Sequence, residues 1–220
     1  MKNSDYFVKE LGYINDDCLR KIVAKTLDNS PECIVHIPAS SSGRYHPSYS
    51  LGEGGLMRHV KAAVGIAHSL IATDIFKNFI YGDKAEEVPS CVVTACADCV
   101  YAALILHDCM KPDDTPKHST RFDHPLLAAK LFVDTANDCF NDGNTLENVD
   151  VDMDYMEQTI PIIKSAIESH MGQFNQSDYA PNVILLTPKT TIEQFVHLMD
   201  YLSSRKYLIF DFDVYNEVER

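Results

Sequence analysis

The sequence predicts an all-α fold, on three observations. Segments spread along the chain repeat apolar residues at i, i+3 and i+4, the period of a helix with one buried face. Proline- and glycine-rich stretches separate those segments, and the one short apolar run between prolines, Val183-Ile184-Leu185-Leu186, reads as an extended connector rather than a strand of a sheet. With 220 residues, 45% of them hydrophobic, the chain suits one domain with a sizeable core.

Each element follows from its own pattern. Residues 16–28 carry Leu19, Ile22, Val23 and Leu27 behind an acidic start and read as a short amphipathic helix. Residues 29–55 hold Pro31, Pro38, Pro47 and four glycines around a serine cluster, and are expected to form a long irregular connection. Within it, Gly43-Arg44-Tyr45-His46-Pro47 sets a guanidinium, a phenol and an imidazole on a constrained backbone; it reads equally as a solvated loop or as part of a site. Residues 56–71 form a helix entered through glycines, with His59 bordering its apolar stripe and His68 structural. Residues 81–90 read as a turn, and 91–110 as a helix apolar around most of its circumference and therefore central.

The polar, proline-bearing residues 111–122 predict a loop. Asp123-His124-Pro125 then opens a helix with Leu126, Leu127, Leu131 and Phe132 on its inner face. Residues 137–154 are acidic and loop-like but lack the residue order of a calcium loop. A helix over 156–170 follows, with Pro161 near its first turn, Gly172 just beyond its end and His170 at its C-terminal mouth, where a histidine also serves as a dipole partner. Thr190-Thr191 cap a last helix running to Phe210. Its stripe is Ile192, Phe195, Val196, Met199 and Leu202, and Asp200 lies at the stripe's edge, three residues after a possible partner, His197.

A formal charge of −13 argues against broad binding to nucleic-acid duplexes, which rests on lysines and arginines neutralising phosphates. Residues 1–10 lack the pattern of a signal peptide, and no stretch approaches a membrane span, so a cytoplasmic protein without membrane partners is expected. Seven cysteines, several inside apolar runs, fit reduced buried thiols. Cys91, Cys96 and Cys99 have the C-x4-C-x2-C spacing of an iron–sulfur loop, but they fall in a helical run that turns the first two about 140° apart.

The chemistry concentrates at Leu104-Ile105-Leu106-His107-Asp108, where an apolar run ends in a histidine and an aspartate. Burying that pair requires a partner, and a divalent metal is the economical one, since imidazole and carboxylate are common ligands of Zn, Mn and Fe. His59, His124, His170 and Asp200 also sit at the edges of apolar helical segments, and one shared metal site among inward-facing side chains accounts for all of them.

The order H…HD…H…H…D resembles that of the HD-domain superfamily of metal-dependent phosphohydrolases, over roughly residues 54–206. The words Gly54-Gly55-Leu56-Met57-Arg58-His59, Leu106-His107-Asp108-Cys109-Met110-Lys111, Asp123-His124-Pro125-Leu126-Leu127-Ala128-Ala129, Ser169-His170-Met171-Gly172-Gln173 and the stretch from His197 through Asp200 to Lys206 are similar to those of bacterial and phage-type members. One departure is Met110, where a glycine often precedes the HDxxK lysine. The resemblance implies a single helical domain over 1–220, with residues 1–53 an N-terminal helix and loop and 207–220 a peripheral tail.

It further implies that His59, His107, Asp108 and Asp200 hold one divalent ion, and that His124 and His170 join a bridging Asp108 on a second. The ion could be Mn, Fe, Mg, Zn, Ni or Co. Two such ions can acidify a shared water and orient a phosphoryl group for in-line displacement. Lys111, with Arg44 or Arg205, would neutralise phosphate oxygens, and Tyr45, His46 and His118 would contact the rest of the substrate. The expected activity is hydrolysis of a phosphorylated small molecule, a nucleotide or a single-stranded nucleic-acid end. The alternatives are an HD-type mixed-valent di-iron oxygenase and a nucleotide-binding sensor without turnover.

Overall fold

The computed structural model describes residues 1–40, 43–112, 120–142 and 144–207. Among them the regular structure is helical: α1 (Val8–Leu11), α2 (Asp17–Asn29), α3 (Gly55–Ile71), α4 (Asp74–Tyr81), α5 (Ser90–Leu106), α6 (His124–Asp142), α7 (Met153–Ser169) and α8 (Thr191–Ser203), with short 3-10 helices between some of them and one isolated β-bridge, Pro112 to Thr120. Side chains start these helices by accepting from otherwise unpaired N–H groups. The Asp16 carboxylate takes the N–H of Leu19, Asp152 that of Tyr155, and Thr190 that of Glu193, while Glu193 returns a bond to the Thr190 N–H.

Helix α5 is the axle of the bundle. From Ala97 to Leu106 every residue is buried, because α2, α3, α7 and α8 pack around it together with α1 and α6. A helix so enclosed must be apolar on all sides, and the one exception has its own explanation. The Asp98 carboxylate, 1% exposed, accepts hydrogen bonds from the backbone N–H groups of Asn15 and Asp16, from the Asn15 amide and from the Tyr155 hydroxyl, at 2.9–3.2 Å. It thereby ties the entry to α2 and the start of α7 to the central helix.

Several boundaries differ from the sequence expectations. The central helix stops at Leu106, and His107 to Met110 form a turn in which the Cys109 N–H reaches Leu106 and the Lys111 N–H reaches Asp108. Helix α6 continues to Asp142, through residues that read as loop, because Ala136 and Cys139 are spaced to bury on the core. Since Asp152 caps α7, Pro161 lies inside that helix rather than near its first turn. The last helix ends at Ser203, where Ser203 and Ser204 hydroxyls fold back onto the carbonyls of Asp200 and Tyr201. Helix α4, capped by Thr73, was not expected; it buries Phe76 and Ile80. The connection over 29–55 contains 3-10 helices at Glu32–Val35 and Ser48–Ser50.

The cysteines are free thiols, as expected, but Cys91 is exposed, and Cys33 and Cys96 are only partly buried. His68 is structural, bonded to the Tyr101 hydroxyl at 2.9 Å and stacked on Tyr13. No described helix is long and apolar enough to cross a membrane.

Candidate metal centre

Five places in the bundle deliver side chains to one point. His59 comes from the inner face of α3, His107 and Asp108 from the turn that ends α5, His124 from the first position of α6, His170 from the residue after α7, and Asp200 from α8. The four imidazoles and Asp108 are each at most 2% exposed, and the Asp200 side chain 17%.

The six residues form overlapping groups, one around Asp108 Oδ2 and one around Asp108 Oδ1, with His107, His170 and Asp200 a third that links them. In the first, His59 Nε2 lies 3.0 Å from Asp200 Oδ1, 3.6 Å from Asp108 Oδ2 and 3.4 Å from His107 Nε2, which is itself 3.4 Å from Asp108 Oδ2 and 3.5 Å from Asp200 Oδ1. In the second, Asp108 Oδ1 lies 3.0 Å from His124 Nε2 and 3.8 Å from His170 Nε2, and the two nitrogens are 3.3 Å apart. Donor atoms about 2.1 Å from a common ion stand about 3.0 Å apart at right angles and about 3.4 Å apart at the tetrahedral angle. Both sets have the dimensions of a coordination shell.

Hydrogen bonds on the far side of each ring decide what its inner nitrogen presents. His107, His124 and His170 each donate Nδ1–H to the backbone carbonyl three residues earlier, that of Leu104, Arg121 and Ile167, at 2.6–2.8 Å. His59 Nδ1 lies 3.1 Å from Ser203 Oγ, whose own hydrogen goes to the Asp200 carbonyl, so here too the ring is the donor. Nδ1 is thus engaged on the outer side of each ring and Nε2 is the nitrogen turned toward the centre, the arrangement second-shell partners impose on metal-ligating histidines. The Nε2 atoms of the paired rings stand 3.3–3.4 Å apart, and Asp108 Oδ1 is buried without a hydrogen bond among the described residues. A cation placed between these atoms satisfies all of them; the His/Asp cluster is able to hold a metal ion.

Charge reinforces that reading. Burial opposes ionisation of Asp108, but Lys111, with its Nζ 2.7 Å from Oδ2, and then His107 outweigh it and hold the carboxyl well below the usual range. Burial is likewise outweighed at Asp200, which the His107 and His59 rings hold well below that range. At His107 the burial penalty yields to the two carboxylates, and the imidazole is raised to about 10. Burial, with His107 and His124 beside it, lowers His170 to about 3. Two carboxylates are thus kept ionised beside the imidazoles, and a bound cation would displace the proton His107 carries.

The centre opens into a cavity of about 630 Å³. Tyr45, His46, Lys111 and Arg205, all proposed from the sequence as substrate or catalytic groups, line it, whereas Arg44 does not. Arg44 instead lies over the Tyr45 ring, with its guanidinium carbon 5.3 Å from the centroid. His118 falls outside the described residues. The His46 ring meets His59 edge-on, with centroids 5.8 Å apart, and burial, then His59 and Lys111, lower it to about 4, so it is neutral near pH 7. Arg205 lies over Tyr201, its guanidinium carbon 4.0 Å from the ring centroid, and is tethered to Ser204 Oγ.

Several residues of the site have roles that the sequence did not announce. Ser203 orients His59. His197 does not pair with Asp200; it donates from Nδ1 to the His170 carbonyl at 2.6 Å and contacts Gln173 from Nε2 at 2.8 Å. Gly172, at φ +56°, makes room for this, since a Cβ there would fall 2.2 Å from the His197 ring. Phe122, Phe174, Tyr179 and Tyr201 add an aromatic wall to the cavity.

Fold and site together define an all-helical protein with a buried His/Asp cluster able to hold a metal ion. Comparisons of the chain with models of known families, with curated proteins and with solved structures find no match.

Proposed function

We propose that the chain is an HD-type metal-dependent phosphohydrolase or phosphodiesterase acting on a nucleotide or a nucleic-acid end. The observation that carries this reading is Asp108, whose Oδ2 faces His59 and His107 while its Oδ1 faces His124 and His170, at the floor of an open cavity. His59, His107, Asp108 and Asp200 would hold one divalent ion, and Asp108, His124 and His170 a second. Four imidazoles favour Mn, Fe, Co, Ni or Zn over Mg, which prefers oxygen ligands. Bound there, such ions supply Lewis acidity, an acidified water and compensation of phosphate charge.

The protein's own residues do the rest. The carbonyl-clamped imidazoles stay aimed without reorganisation, which keeps the centre preorganised. Lys111, 13% exposed at its side chain and already against Asp108, offers a fixed ammonium to a phosphate oxygen on the cavity side. Arg205 and the aromatic wall receive the part of the substrate beyond the phosphate.

Elemental analysis of the natively purified protein, followed by a nucleotide and oligonucleotide panel with the metal found, tests the reading. Wild type should release phosphate or cleave a phosphodiester. Asp108→Ala should lose that activity by at least about 10³-fold with an unchanged far-UV spectrum. Equal turnover by the variant overturns the proposal. A shell of four imidazoles also suits a di-iron pair. Oxygen uptake by iron-loaded, partly reduced protein, without hydrolysis of any member of the panel, would move the chain to the oxygenase reading, and tight nucleotide binding without product to the sensor reading.

A further inference from the structure

The turn after α7 carries an aromatic ring that the fold holds in the open. Phe174 lines the cavity of the metal centre and is 46% exposed. A single exposed apolar side chain is ordinary, but this one stands on backbone pinned on both sides. Its own N–H donates to the Met171 carbonyl at 3.0 Å, and the Asn175 carbonyl beside it accepts from the Leu185 N–H at 2.9 Å. Ahead of it, His197 bonds the His170 carbonyl and contacts Gln173.

Helix α8 supplies what stands next to that ring. Tyr201 directly follows Asp200, so it begins one residue from the metal centre. Its ring lies 10° from parallel to that of Phe174, with centroids 6.5 Å apart. Arg205 completes the group, its guanidinium carbon 4.0 Å from the Tyr201 centroid and 5.9 Å from that of Phe174.

The role expected for Arg205 from the sequence is to neutralise phosphate. A phosphate clamp needs free donors on its fork. Here Nε and Nη2 donate to Ser204 Oγ at 3.2 and 3.1 Å, and Nε also reaches the Tyr201 carbonyl at 3.3 Å. One edge of the guanidinium is thus already engaged by the protein, and the cation is held beside two rings. That is the arrangement of a stacking partner. A planar ring laid on such a patch gains π-stacking and cation–π attraction whatever groups its edge bears, and every nucleobase has the necessary face. A sugar has none.

We infer that Phe174, Tyr201 and Arg205 form a stacking subsite for the base of a nucleotide, gripped by its face, so that a base with a larger face binds more tightly. The inference rests on the reading of the metal centre as the phosphate end of that substrate, but its test uses nucleosides, which carry no phosphate.

Saturation-transfer NMR on the full chain as purified, with adenosine, uridine and methyl β-ribofuranoside as probes, decides it. Transfer is expected to the base protons of both nucleosides, stronger for adenosine. It should be at least about fivefold weaker to the riboside, the low end of what one stacked base contributes. Phe174→Leu keeps an apolar side chain but no ring face; it should lose the nucleoside transfer to a similar degree and melt as wild type does, whereas Phe174→Tyr should keep it. Arg205→Lys keeps the charge without the planar cation and should also weaken transfer to adenosine. The inference is overturned by equal transfer to the riboside, by undiminished transfer in Phe174→Leu or Arg205→Lys, or by no transfer to either nucleoside. Because no probe is a phosphoester, failure of the phosphohydrolase reading shows separately, as a panel with no member turned over. Turnover of ribose 5-phosphate as fast as that of adenosine 5′-monophosphate would instead overturn the stacking subsite and leave that reading standing.

Discussion

At the scale of single residues, the centre works by fixing orientation and charge before any ligand arrives. The pH behaviour of the metal-free protein follows from the side chains. His170 and His46, lowered to about 3 and about 4 from an ordinary 6.5, stay neutral in the fold but protonate in the unfolded chain. Their contribution to stability is fully present above pH 6.5 and is lost as the pH falls toward 4 and 3. Asp108 and Asp200, held well below 3.8, add a further loss as the pH falls below that value. His107, raised to about 10, acts in the opposite sense: its contribution is fully present below pH 6.5 and is lost as the pH rises through 10. Thermal melts of chelator-treated protein should therefore peak near pH 6.5 and fall on both sides. His46→Gln should make the acid limb shallower; an identical limb in that variant would remove His46 from the account.

At the scale of elements, two joints set where the site residues stand. Asp98 holds three segments together, and its removal would leave the part-buried N–H groups of Asn15 and Asp16 and the Tyr155 hydroxyl without this acceptor. Asp98→Ala should cost about 3–5 kcal/mol by chemical denaturation, the range for breaking a buried charged network; a loss under 1 kcal/mol would show the staple to be dispensable. His197 joins α8 to the turn carrying His170. The periodic parts of this architecture were legible in the sequence: the inner stripes of α2, α3, α5 and α8 are the ones their spacing announces. Helix α4 escaped because eight residues hold barely two turns, with only Phe76 and Ile80 buried. The end of α6 escaped because Asn137, Asp138, Asn141 and Asp142 are weak helix formers that tertiary burial of Cys139 overrides. In the site, six polar residues at the edges of apolar stripes could be picked out one by one. Their Nδ1 clamps, Ser203, His197 and the aromatic wall could not, since each depends on how separate helices meet.

At the scale of the molecule, a charge of −13 surrounds a cavity whose inner end carries Lys111 and whose wall carries Arg205. Long polyanions are repelled by such a surface, so under the proposed phosphohydrolase activity turnover of oligonucleotides should gain more from added salt than turnover of mononucleotides. The inward-facing Nε2 atoms of His124 and His170, 3.3 Å apart, also make the centre a liability for folding whenever no cation is present. Function and stability then pull in opposite directions at these positions. His170→Leu should raise the melting temperature of chelator-treated protein and lower that of metal-loaded protein relative to wild type, so that the two melting curves exchange order on loading. A variant that melted lower in both states would show the histidines to be ordinary core residues, whereas the exchange would mark them as positions kept against the interest of the empty fold.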